Sequence, residues 1–247
     1  DINIQKIKDS ISNKTVALIY NNYQNPISAE SSKEEMEEIA KIAIENNLWV
    51  LADDAYYEIK YDGKSRSIVE IPGMRDRTVI LYTFSKKYAM TGWRVGGSIG
   101  PEKIIKIISK LNVNAESCTT HFIQDAMVEA LNGDQSGPNE ILRRLKKRRD
   151  FAVSGLNAID GIEISTPEST FYLFPKVNEI MKRKGFESVE KLQLGALKNA
   201  NVSFCTRDHF GRPQQDEVDY YIRFAYSGIS VEDIEEGLKK LKTYFED

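Results

Sequence analysis

The chain is poor in the residues that make covalent or metal staples: two cysteines and two histidines in 247 residues. Cys118 and Cys205 stand far apart and form no C-x-x-C pair, so they read as idle thiols and fit a cytoplasmic compartment. His121 and His209 have no ligand spacing, and no metal site is expected. Neither sign of charge dominates. Lys and Arg number 34 against 37 Asp and Glu, a net charge of −3, which leaves no basic field to attract nucleic acid or an anionic membrane. No apolar run approaches the roughly 18 residues of a membrane span. The opening DINIQKIKDS lacks the apolar stretch of a signal peptide. Internal repeats and low-complexity linkers are missing too.

What is present is an ordinary globular composition, 41% hydrophobic and 29% charged, long enough for one large or two modest domains. TVALIY (15–20), NLWVLA (47–52) and TVILY (78–82) read as buried strands bounded by polar or turn residues. Between the first two, Ser32 and Glu35 form a capping-box pattern, and Met36, Ile39, Ala40 and Ala43 repeat with the spacing of one buried helix face. Strands of this kind alternating with helices predict an α/β sheet covered on both faces.

Further on, Pro101 is expected at the first position of a helix over 101–111, and a second helix covers 119–131. NGDQSGPN (132–139) reads as a loop. The basic run after it reads as the solvated face of a long helix. FYLFP (171–175) and YYIRFAY (220–226) read as strands, with helices over 188–200 and 231–245. The change of pattern places a smaller α+β domain at 136–247, after a first domain at 1–135.

The strongest chemical signal follows the third strand: Thr83-Phe84-Ser85-Lys86-Lys87-Tyr88-Ala89-Met90-Thr91-Gly92-Trp93-Arg94-Val95-Gly96. A loop lysine on its own is usually a solvated one. A lysine just past a strand end, with hydroxyls before it and an arginine after it, suits a phosphorylated aldehyde. The amine can form a Schiff base, the guanidinium can fork onto a phosphate, and the hydroxyls can add hydrogen bonds. This segment is similar to the lysine signature of class I aminotransferases, fold-type I enzymes that use pyridoxal 5′-phosphate. Gly92, Arg94 and Gly96 match its Gly-x-Arg-x-Gly, and the aspartate-aminotransferase-like branch resembles it most. Thr83 departs, standing where the family has Ser or Gly.

Three further segments resemble the family in the family's order. Leu48-Trp49-Val50-Leu51-Ala52-Asp53-Asp54-Ala55-Tyr56 resembles its apolar strand ending in Asp-Glu-x-Tyr, with Asp54 in place of Glu. Asn25-Pro26-Ile27-Ser28 resembles Asn-Pro-Thr-Gly. Tyr221-Ile222-Arg223-Phe224-Ala225-Tyr226-Ser227 resembles the C-terminal strand that carries an arginine. Ser203 through Gly211 departs from the usual Pro-Gly before Phe-Gly, near the substrate entrance in relatives.

The resemblance implies roles residue by residue. Lys86 carries the cofactor as an aldimine and shuttles a proton. Asp53 faces the pyridine nitrogen, where a carboxylate keeps that nitrogen protonated. Tyr56 and Asn25 bond the ring oxygen. Thr83, Ser85 and Arg94 hold the phosphate. Arg223, with Asn25, binds the substrate carboxylate.

The implied fold is part of the family's large domain, a mixed and mostly parallel sheet with flanking helices, plus a small C-terminal domain. The implied reaction moves an amino group between an amino acid and a 2-oxo acid, in a homodimer. A C–S lyase, another enzyme of the fold type, or a non-catalytic cofactor-binding domain would carry the same residues. Family members begin well before the Asn-Pro motif. The sequence therefore reads as a C-terminal portion without the Gly-rich phosphate loop, with part of its sheet open. No Lys or Arg lies between Lys110 and Arg143, so that stretch offers no second cation for a dicarboxylate.

Overall fold

The computed structural model describes residues 2–213 and 216–247. The chain forms two compact units. The first comprises Asp1–Gln24 with Ala29–Ile141, the second Asn25–Ser28 with Leu142–Asp247.

The first unit runs α1 (Ile4–Ser10), β1 (Ala17–Tyr20), α2 (Lys33–Glu45), β2 (Trp49–Asp53), β3 (Thr78–Thr83), β4 (Gly96–Ile99), α3 (Glu102–Ala115) and α4 (His121–Asn132). Its sheet has the order β1-β2-β3-β4. The first three strands are parallel and β4 is antiparallel to β3, with Tyr20, Ala52, Ile80 and Ile99 in one cross-strand row. This is the mixed, mostly parallel sheet that the resemblance implied.

Helix α2 starts where its box predicts. The Ser32 hydroxyl accepts from the Glu35 N–H at 3.1 Å, and the Glu35 carboxylate accepts from the Ser32 N–H at 2.8 Å. Its Met36, Ile39, Ala40 and Ala43 pack on Tyr20, Val50 and Ala52 to make the core. The opposite sheet face is less covered than expected, since Ile19 is 74% and Leu81 40% exposed.

Pro101 lies at the N-cap rather than inside the helix. Its ψ of 136° is extended, and its carbonyl accepts from the Ile104 and Ile105 N–H groups. The expected loop at 132–139 shrinks to residues 133–135. Asp134 accepts from the Ser136 N–H at 3.0 Å, and Pro138 sits in the first helical turn, where its missing N–H costs nothing.

That helix, α5 (Ser136–Asn157), leads into the second unit, which continues with β5 (Tyr172–Leu173), α6 (Asn178–Lys184), α7 (Val189–Ala200), β6 (Cys205–Thr206), β7 (Ile222–Ala225) and α8 (Val231–Glu246). Its sheet has the order β5-β7-β6, with β7 central and antiparallel to both neighbours. Leu156, Ile180, Leu192, Ile222, Leu241 and Phe245 are buried in it. One member of the basic run turns inward instead of to solvent. Arg149 is buried, donates to the Pro167 carbonyl at 2.9 Å and pairs with Asp150.

Candidate active site

The first group of expected residues gathers at the carboxyl ends of β2 and β3, neighbouring parallel strands and the usual place for a ligand in open α/β sheets. Asp53 ends β2, and its carboxylate accepts from the Ala55 N–H at 3.3 Å, an Asx turn that redirects the chain. Tyr56 follows and is buried. Thr83 ends β3. Its hydroxyl donates to the Ser85 hydroxyl at 3.0 Å, and it accepts from the Ser85 N–H at 3.2 Å. The Lys86 ammonium lies 5.4 Å from the centre of the Tyr56 ring, within cation–π range.

The two adjacent lysines have opposite environments. Lys87 pairs with Glu58, and hydrogen bonds to Glu58 and Tyr88 outweigh partial burial to raise its pKa above the ordinary lysine value. Lys86 is pushed below that value, first by burial and then by the Arg94 cation, with Asp53 pulling the other way. An amine attacks an aldehyde only in its neutral form, so the structure distinguishes the two on chemical grounds. The sequence motif alone separates them only by resemblance.

Arg94 sits in the left-handed region at φ 51°, a strained conformation for a side chain with a Cβ, and donates to the Thr91 carbonyl at 2.8 Å. It opens onto a cleft of about 390 Å³ that also exposes Ser117, Thr119 and Thr120. The next glycine is required by space. A Cβ at Gly96 would stand 2.5 Å from the Tyr82 carbonyl oxygen across the β3–β4 pair.

Asp54 turns the other way from Asp53. It is 4% exposed, accepts from the Ser67 hydroxyl at 3.0 Å, and burial pushes its pKa up to about 6. The Asp-Asp pair thus splits into one half-buried carboxylate at the strand end and one core carboxyl.

Asn25 and Arg223 belong to the second unit. The Arg223 guanidinium donates to the Asn25 side-chain oxygen at 2.7 Å and to the Cys205 sulfur at 3.5 Å. Its guanidinium carbon lies over the rings of Tyr172 and Phe210, 4.3 and 4.6 Å from their centroids. The sequence marked the strands and the Phe-Gly pair but gave no sign that these rings meet Arg223.

A lysine at a parallel strand end and a half-buried carboxylate on the next strand are groups whose chemistry suits a phosphorylated aldehyde. The comparisons with known proteins agree. A model of the family "Aminotransferase class I and II" matches residues 1–241, and the chain belongs to that family. Aspartate aminotransferase of Bacillus sp. (strain YM-2) is 33% identical over 245 residues, covering 98% of this chain and 61% of that protein. Aromatic-amino-acid aminotransferase 2 of Thermococcus litoralis is 32% identical over 244 residues, covering 98% and 60%. Among solved structures, an aspartate aminotransferase from Rhizobium meliloti superposes with a TM-score of 0.90 at 29% identity, covering 100% of this chain and 62% of that one. An aromatic aminotransferase from Pyrococcus horikoshii gives 0.89 at 31%, covering 98% and 63%. The chain therefore spans about 60% of the length of the relatives it matches.

Proposed function

We propose that the protein containing this chain is an aminotransferase that moves an amino group between an amino acid and a 2-oxo acid with pyridoxal phosphate as cofactor. The observation that carries this is the placement of Lys86 over the Tyr56 ring, at the end of the strand beside the one that ends in Asp53, while Lys87 is tied to Glu58. The donor set fits the cofactor, and the family uses it: one amine held below its ordinary pKa, one carboxylate, one phenol, two hydroxyls and one guanidinium.

When bound, the cofactor supplies an aldehyde that joins amines and a ring that takes up electrons from the substrate Cα. Lys86 would hold the aldehyde carbon through its amine, and that amine, once the substrate's own amine has displaced it from that carbon, would carry the Cα proton. Asp53 would keep a proton on the ring nitrogen. Tyr56 and, by the family resemblance, Asn25 would hold the ring oxygen, and Thr83, Ser85 and Arg94 would hold the phosphate. Arg223 binds the substrate carboxylate through its fork, with Asn25 fixing one of its nitrogens. The proposal includes a homodimer in the full-length protein, a cytoplasmic location, and a cofactor-binding large domain followed by a small domain from about residue 136. No helix among the described residues is long and apolar enough to cross a membrane.

The test is an absorbance spectrum of the chain after adding pyridoxal phosphate, followed by borohydride reduction and peptide mapping. The expected result is a near-visible band whose reduction fixes the cofactor on Lys86, and its loss in Lys86→Ala. Fixation on Lys87 or another lysine, with Lys86 unmodified, rejects the assignment.

A further inference from the structure

We propose that Phe210 and Tyr172 are positioning residues that hold the Arg223 guanidinium in the plane where it meets a carboxylate. The inference rests on the reading of Arg223 as the carboxylate-binding residue. The ring centroids of Tyr172 and Phe210 lie 4.3 and 4.6 Å from the guanidinium carbon. Two rings this close to a flat cation restrict how it can turn, and all five of its N–H donors lie in its own plane.

Those donors are only partly used. One terminal nitrogen donates to the Asn25 oxygen at 2.7 Å. The other reaches the Cys205 sulfur at 3.5 Å, a weak acceptor that a carboxylate oxygen outcompetes. Arg223 Nε is buried and has no partner among the described residues. An arginine side chain has many rotamers, and a bidentate grip needs one of them. The rings select it before the ligand arrives.

Each ring is itself anchored. Tyr172 lies in β5 and pairs with Ala225 of the strand that carries Arg223. Phe210 ends a single 3₁₀ turn, Arg207–Phe210, in the segment that departs from the family's Pro-Gly pattern. The base of that turn is clamped. Arg207 Nε and Nη2 donate to the two Glu217 carboxylate oxygens at 2.6 and 2.8 Å, and Nη1 donates to the Gly211 carbonyl at 2.9 Å. His209 Nδ1 accepts from the Thr206 N–H at 3.2 Å. A bidentate ion pair and a histidine contact thus stand where the family uses a proline and a glycine, and they present a phenylalanine to Arg223.

Pyruvate binding to the chain, followed by NMR titration, tests this with Arg223→Lys, Phe210→Leu, Phe210→Tyr and Glu217→Gln, and with circular dichroism and urea midpoints as fold controls. Phe210→Leu is expected to weaken binding about tenfold while Phe210→Tyr stays within about twofold of the parent, the difference made by one aromatic face on a cation. Glu217→Gln is expected to weaken binding in the same direction. The Arg223 Nε proton adds a reading without ligand: the ring-current shift seen in the parent and in Phe210→Tyr should vanish in Phe210→Leu. If Phe210→Leu keeps the parent affinity while Arg223→Lys loses it, the positioning role is wrong and the carboxylate reading stands. If the parent binds no pyruvate, or Arg223→Lys binds as the parent does, the carboxylate reading itself falls and the proposal falls with it.

Discussion

A primary amine beside a cation and an anion titrates according to which neighbour is removed. Burial and Arg94 hold Lys86 below the ordinary lysine value, and Asp53 partly offsets them. Reductive labelling by pyridoxal, which lacks the phosphate that Arg94 is proposed to bind, should therefore show an apparent pKa below that of an exposed lysine. Arg94→Met should move it up and Asp53→Asn down. Equal pH profiles in all three proteins would remove the electrostatic account. Asp54 gives a second test, on stability. Its pKa is raised from 3.8 to about 6 by burial, so folding favours its protonated form. Stability from this group is full below about pH 4 and is lost as pH rises through about 6. The stability of the parent minus that of Asp54→Asn should fall by up to about 3 kcal/mol across that window, measured by urea unfolding. A flat difference would mean that Asp54 is already ionised in the fold. At this scale the sequence singled out Lys86, Asp53 and Arg223 as candidates, because their residue types and neighbours follow a recognisable order. It was silent on the split between Asp53 and Asp54. Two adjacent acids look alike until a strand end sends one inward to Ser67. The rings on Arg223 were equally hidden, because they come from segments distant in sequence.

At the scale of elements, legibility followed the strength of local signals. Helix α2 was readable end to end, since its box and its apolar stripe are both short-range patterns. Ser32→Ala should cost about 1 kcal/mol in urea unfolding. The Glu35 carboxylate also accepts from the Ile2 N–H at 2.8 Å, so Glu35→Ala should in addition loosen the segment leading into α1, seen as faster amide exchange there. Strand β4 left no apolar alternation to read, because Gly96 is required by the close approach of β3 and only Ile99 of Gly-Gly-Ser-Ile carries an apolar side chain. Gly96→Ala forces the Tyr82 carbonyl aside and should destabilise by about 1–3 kcal/mol, with loss of cofactor fixation out of proportion to the loss of stability because Arg94 lies two residues away. Unchanged stability in that variant would mean the β3–β4 pair tolerates a Cβ. The loop expected at 132–139 failed for an identifiable reason: Asp134 and Pro138 are turn residues by type but helix-start residues by position.

At the scale of the whole chain, the sheet of the first unit is unevenly protected. One face is filled by α2, and the other carries the exposed Ile19 and Leu81. Strands β1 and β4 end the sheet on either side. An edge strand with unpaired backbone groups and outward apolar side chains is a template for further pairing, and a contiguous apolar patch adds to the drive. The purified chain should therefore bind a hydrophobic dye and sediment with a mass that rises with concentration. Ile19→Lys places a charge on the edge strand where the parent side chain is mostly in solvent, so it should suppress both signals while leaving the unfolding free energy within about 0.5 kcal/mol of the parent. A monodisperse monomer that binds no dye would mean that the open face is too small or too polar at its rim to drive association. Loss of stability in Ile19→Lys would mean that this side chain already packs against something in solution.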